Sequence, residues 1–216
     1  MGNIKNLIFD FDGTLVDTAP LIIKTMQATI RALSLPAKSD AECQSTIGVR
    51  LEDVPEVLWP EIENISEKFA TTYRRIFDEL KRPLKVECYP GVLETLRQFH
   101  ATGYRMAIAS SRSHTSLEEY VTLFNLNDCF SMLVGGNDVR HGKPAPDPVL
   151  LILDSMGWKS DETMTIGDAP VDILMGKAAA TKTCAVTYGN SSIESLEAVK
   201  PDFIISSFKN LECVGF

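Results

Sequence analysis

Apolar residues along this chain keep two rhythms. Ile4, Leu7, Ile8 and Phe9 form a short apolar run broken only by Lys5-Asn6. Such a run predicts a strand buried on both faces. Similar runs recur after position 104, at 104–109, 130–134, 164–167, 183–187 and 202–205. Between them, residues 116–124, 148–156 and 172–180 carry apolar positions at helical spacing. Strands alternating with helices predict an α/β fold, a parallel sheet covered by helices on both faces.

Residues 16–84 keep only the helical rhythm. Helices are expected over 18–33, 40–46, 51–58 and 61–80, the third interrupted by Pro55. In the last, Ile62, Ile65, Phe69, Tyr73 and Ile76 share one face. No strand is expected in this stretch. The pattern therefore predicts a core made of 1–15 and 85–216, with a helical cap of 16–84 inserted after the first strand. Tyr89-Pro90-Gly91 punctuates the return to the core.

Composition narrows the class. A chain of 216 residues with 44% hydrophobic content can bury a core without staples. Its net charge of −8 offers no basic surplus for general nucleic-acid binding. A small phosphorylated partner remains compatible, because local field outweighs net charge. Cys43, Cys88, Cys129, Cys184 and Cys213 are scattered and form no CxxC pair, which fits reduced thiols rather than a disulfide frame or zinc site. Neither a leader segment nor a membrane-length apolar run is evident. A cytoplasmic protein without a membrane partner is expected, as a monomer or homodimer.

Candidate chemistry gathers where strands end. In open α/β sheets, ligands bind beyond the carboxyl ends of the strands. The first strand ends in Asp10-Phe11-Asp12-Gly13-Thr14. Two carboxylates so close repel one another and ask for a cation, and the Gly13 region offers amides to an anion. Alone, the pair could be turn residues, since Asp-Gly is a common turn signal. The next strand ends at Ser110-Ser111, the following loop carries Lys143-Pro144-Ala145-Pro146-Asp147, and the fourth ends at Gly167-Asp168 with Asp172 shortly after. A hydroxyl, a lysine and four carboxylates on one edge suit metal-assisted phosphoryl transfer.

These motifs, in this order, resemble the haloacid dehalogenase superfamily, in its phosphoglycolate-phosphatase-like branch with a helical cap. The resemblance covers nearly the whole chain: DFDGT, a strand-ending serine, a KPxPD lysine and GDxxxD. It implies a magnesium-dependent phosphatase acting on a small phosphorylated metabolite through an aspartyl-phosphate. Asp10 then matches the nucleophile and Asp12 the general acid/base. Asp10, the backbone carbonyl of Asp12, and Asp168 match the metal ligands, with Asp172 behind them. Ser110 and Lys143 match phosphate binders, helped by Gly13 and Thr14. Ser111 rivals Ser110 for the serine position.

Other residues carry competing readings. Asp147 reads as a helix N-cap and Asp17 as a brace for the cap hinge. Arg112 and His114 read as solvated loop residues, although either could touch substrate. His100 and His141 read as surface residues, and Arg74-Arg75 and Lys81-Arg82 as solvated helix faces. Arg50 follows Thr46-Ile47-Gly48-Val49, a loop that in this family faces the active site. It is either a ligand for a second anionic group of the substrate or a surface ion pair. Asp12 argues against a dehalogenase, and Pro20-Leu21-Ile22 lacks the histidine of mutase relatives. Lys24 lacks a supporting phosphonatase pattern. Behind phosphoglycolate stand sugar phosphates, nucleotides and pyrophosphate; the runners-up are a mutase or pyrophosphatase of the superfamily and a non-catalytic phosphate-binding module.

Overall fold

The computed structural model describes residues 4–82 and 84–214. The elements run β1 (Asn6–Phe9), β2 (Val16–Asp17), α1 (Ala19–Ala32), α2 (Asp40–Gln44), α3 (Val54–Leu58), α4 (Ser66–Leu80) and β3 (Glu87–Cys88). They continue through α5 (Val92–Ala101), β4 (Arg105–Ala109), α6 (His114–Leu123), β5 (Met132–Val134) and α7 (Asp147–Met156). The chain then forms β6 (Thr163–Gly167), α8 (Pro170–Ala178), β7 (Lys182–Val186), α9 (Ile193–Ala198) and β8 (Phe203–Ile205).

Six strands form one parallel sheet in the order β5-β4-β1-β6-β7-β8. The first strand therefore sits in the middle. Its residues pair on both sides, Phe9 opposite Ile108 and Ile166. Successive side chains of a strand face opposite sides, and the apolar packing obeys this. Leu7 and Phe9 join Met106, Ile108, Met164 and Ile166 in one cluster. Ile8 joins Ala107, Ala109, Val134, Val149 and Ile152 in another. That two-sided burial is why β1 reads as a continuous apolar run.

Helices α1 to α4 lie between β2 and β3 in the chain, and α1 packs chiefly on α4 and α2. Their buried residues, among them Met26, Trp59, Phe69 and Phe77, belong to the same cluster as Leu7 and Phe9. Sheet and helical insert thus share apolar packing.

Several boundaries differ from expectation for local reasons. The long helix begins at Ser66 rather than at 61, because Asn64 adopts a left-handed conformation, φ 59°. Ile62 and Ile65 still pack on the core from outside the helix. Pro55 opens α3 instead of interrupting a longer helix; its fixed φ and missing N–H suit the first turn. Ser39 and Glu42 form a reciprocal capping box that starts α2. Asp147 is the first residue of α7, not its cap, and its carboxylate meets His141 Nδ1 at 2.9 Å. Helices α5 and α9 add to the expected set.

The expectation of no strand within 16–84 is corrected by β2. Val16 and Asp17 pair antiparallel with Cys88 and Glu87 at the two ends of the insert. A two-residue strand is too short to show alternation. Asp17 accordingly sits at this junction, directly opposite Glu87.

Candidate active site

The first carboxylate leaves the sheet at the end of β1. Asp10 is buried, and its amide still donates to the Ile166 carbonyl at 2.8 Å, so strand pairing fixes its backbone. From the loop before α7, Lys143 Nζ reaches Asp10 Oδ1 at 2.5 Å and Asp172 Oδ1 at 2.6 Å. The lysine side chain is 1% exposed. Asp172 lies in the first turn of α8, where its other oxygen accepts from the Ala169 amide at 3.0 Å. Asp168, at the end of β6, accepts from the Asn190 amide at 2.7 Å and the Thr14 hydroxyl at 3.2 Å.

Oxygens of Asp10, Asp168 and Asp172 lie within 4.8 Å of one another, all buried. Three carboxylates against one lysine leave the group short of positive charge. Burial pushes Asp10 well above the usual carboxylate range; Lys143 opposes this, while Asp172, Asp168 and Asp12 add to it. Burial likewise raises Asp168 to about 7, with repulsion from Asp172 next. Burial works against the Lys143 charge, but Asp10 and Asp172 together hold its pKa above the ordinary lysine value. A buried, oxygen-only donor set with raised carboxylates fits a hard divalent cation.

Glycine at position 13 is demanded by this crowding. Gly13 has φ +91°, and a Cβ there would come within 2.2 Å of Asp168 Oδ2. Around Gly13 and Thr14 some of the polar groups are already engaged. The Gly13 amide is occupied by the Val16 carbonyl at 2.9 Å, and the Thr14 hydroxyl is turned to Asp168. Among the described residues, no hydrogen bond occupies the amides of Phe11 and Asp12. With the Thr14 amide, which is likewise unengaged, they are the donors left for an anion at the end of β1.

Asp10 and Asp12 open onto a cavity of about 300 Å³ between the sheet edge and the helical insert. Ser110, Ser111 and Arg50 line it as well. The Ser110 hydroxyl accepts from the Arg112 amide at 3.2 Å. The Ser111 hydroxyl instead donates to the Gly48 carbonyl of the insert at 2.6 Å. Arg50 forms no ion pair among the described residues; it donates to the Arg140 carbonyl at 3.3 Å. Arg74 and Lys81, expected on a solvated face, both line the cavity and are neutralised there, by Glu52 and by Asp78 and Glu119.

Arg112 is the main correction. It is not a solvated loop residue: its side chain is 8% exposed and forms an ion pair with Asp12. Its guanidinium also lies near the rings of Phe11, Phe77 and Tyr120. Burial disfavours its charge, yet Asp12 outweighs that and holds the pKa above the ordinary arginine value. The sequence signal was present but weak, an arginine directly after the strand-ending serines. His114 starts α6 and meets Asp138 at 2.6 Å, which raises its pKa.

A model of the haloacid dehalogenase-like hydrolases matches residues 7–186. The chain belongs to that family. Pyrophosphatase PpaX of Halalkalibacterium halodurans is 31% identical over 208 residues, spanning 96% of this chain and 95% of that one. Phosphoglycolate phosphatase of Salmonella typhimurium is 28% identical over 230 residues, spanning 97% and 91%. A solved structure from Bacteroides fragilis, described as a haloacid dehalogenase-like hydrolase, superposes with a TM-score of 0.91 at 27% identity. It covers 96% of this chain and 99% of that one. The chain is therefore a hydrolase whose relatives carry phosphatase and pyrophosphatase names. No helix among the described residues is long and apolar enough to cross a membrane.

Proposed function

We propose that this protein is a magnesium-dependent phosphatase that hydrolyses a small phosphorylated metabolite through phospho-Asp10. The observation that carries the reading is Asp10 itself. It is buried, held by Lys143, grouped with Asp168, and faces a cavity that also receives Asp12 and Ser110. Asp10, Asp168 and the Asp12 backbone carbonyl would hold magnesium, which supplies positive charge next to the phosphoryl oxygens. Asp172 braces Lys143 with one oxygen and the start of α8 with the other, behind the cation ligands.

Asp10 attacks phosphorus while Asp12 gives a proton to the departing oxygen; Asp12 then takes a proton from the water that cleaves the acyl phosphate. Ser110, Lys143 and the amides of Phe11 and Asp12 hold the phosphoryl oxygens as charge develops. The small cavity and the unneutralised Arg50 favour a compact substrate with a second anionic group, such as phosphoglycolate or pyrophosphate. A cytoplasmic location fits the five free cysteines.

The test is phosphate release from a panel of phosphate compounds, with magnesium and with chelator. Wild type is expected to turn over only with metal, and Asp10→Asn to lose at least about a thousandfold, as for a covalent nucleophile. Full activity in Asp10→Asn, or no release from any compound, would sink the proposal.

A further inference from the structure

Asp12 is held from two directions. Arg112 Nε donates to Oδ2 at 3.1 Å and Nη2 to Oδ1 at 2.5 Å. The Thr18 hydroxyl donates to Oδ1 at 2.6 Å. The remaining guanidinium nitrogen, Nη1, donates to Ser116 Oγ at 2.9 Å. Around this plane stand three rings, with centroids 4.9 Å (Tyr120), 5.3 Å (Phe77) and 5.7 Å (Phe11) from the guanidinium carbon. The fork cannot turn without leaving its rings, and the carboxylate cannot turn without leaving the fork. Phe11 follows β1 and Tyr120 lies on α6, but Phe77 comes from α4 of the helical insert.

We propose that Arg112 is a positioning residue for proton transfer by Asp12. The fork sets the direction of the carboxylate, the rings set the fork, and Phe77 carries the placement of the insert into that direction. This inference rests on the phosphatase reading, in particular on Asp12 supplying the leaving-group proton. In that step Asp12, having first taken a proton from solvent, gives it to the departing oxygen as an Asp10 oxygen bonds to phosphorus and the ester P–O bond breaks. Asp12 is left as the carboxylate that pairs with Arg112. A lysine could supply charge at position 112, but neither the second aligned donor nor the stacking plane.

The experiment measures kcat/KM on phosphate monoesters graded from a nitrophenyl to an alkyl leaving group. A nitrophenolate departs without help, whereas an alkoxide needs the proton. Arg112→Lys is expected to lose about 10- to 100-fold on the alkyl ester and less than about threefold on the nitrophenyl ester. Ser116→Ala removes only the Nη1 contact and should shift the two esters apart in the same sense by less; it decides the matter if Arg112→Lys does not fold. Asp12→Asn serves as the reference. Equal losses on both esters in Asp12→Asn would refute the acid role of Asp12, whatever Arg112 does. A selective Asp12→Asn beside a folded Arg112→Lys or Ser116→Ala that affects both esters alike, or neither, would overturn the role of Arg112.

Discussion

Replacing Lys143 with methionine tests how the site is held together. The side chains of Lys143, Asp10 and Asp172 are 1%, 6% and 1% exposed, so the variant leaves two buried carboxylates without their cation. Removing one partner of a buried pair costs about 3–5 kcal/mol. A second route bounds the loss. An orphaned carboxylate escapes its charge by taking a proton, which at pH 7 costs about 1.4 kcal/mol for each unit above an unfolded pKa near 4, so at most about 4 kcal/mol for each of the two, and less for Asp10, which is raised in wild type already. The direction with pH follows. The folded pKa of Asp10 is already raised and rises further without Lys143, so the penalty grows above the unfolded pKa and shrinks on acidification. At pH 5 the same proton costs only about 1.4 kcal/mol. Urea unfolding of metal-free wild type and Lys143→Met at both pH values measures this. We expect a deficit of about 3–4 kcal/mol at pH 7, falling to about 1–2 kcal/mol at pH 5. A variant as stable as wild type at pH 7, or a deficit that ignores pH, would refute the electrostatic account of Lys143.

Metal binding should depend on protonation of the same cluster. With Asp168 raised to about 7, magnesium must displace its proton below neutrality, so the affinity seen by calorimetry should rise with pH and level off above 7. Gly13→Ala forces a Cβ against Asp168 and into a left-handed backbone, and should lower both thermal stability and magnesium affinity. Arg50→Gln should raise KM about tenfold for a substrate with a second anion, with little change for an aryl phosphate; equal effects on both would remove Arg50 from specificity. Thr18→Val strips one donor from Asp12 and should slow alkyl esters more than aryl esters, read from kcat/KM.

The parallel core was legible because its signal is redundant. Leu7, Ile8 and Phe9 are each fully buried on one face or the other, so the apolar run could only be a central strand. Polar residues at the ends of β1, β4 and β6 announced the site edge for the same reason. Arg112 was not legible, because its burial comes from Phe11, Phe77 and Tyr120, which lie far apart in the chain and meet only in the fold. Gly13 and Thr14 pointed to the right place, where the Gly13 amide closes a turn and the Thr14 hydroxyl supports Asp168. The start of α4 escaped because a left-handed Asn64 overrides an apolar period that continues through Ile62 and Ile65.

The short pairing of β2 with β3 has a consequence for how such a chain can change. Val16 and Cys88 stand side by side, so the chain leaves for α1 and returns from α4 through neighbouring positions. Adjacent antiparallel strands are only about 5 Å apart, a gap that a tight turn can close. A different insert, or a hairpin alone, could therefore be spliced between these two points without altering β1, β4 or β6. The penalty would fall on the apolar cluster that sheet and insert share, and on Arg112, which would lose the Phe77 ring. Along the chain the sheet and the helical insert are thus joined at a single two-residue ladder. In space, shared apolar packing, the Ser111–Gly48 and Arg50–Arg140 hydrogen bonds and the Lys81–Glu119 ion pair also tie them, so a new insert would have to rebuild those contacts.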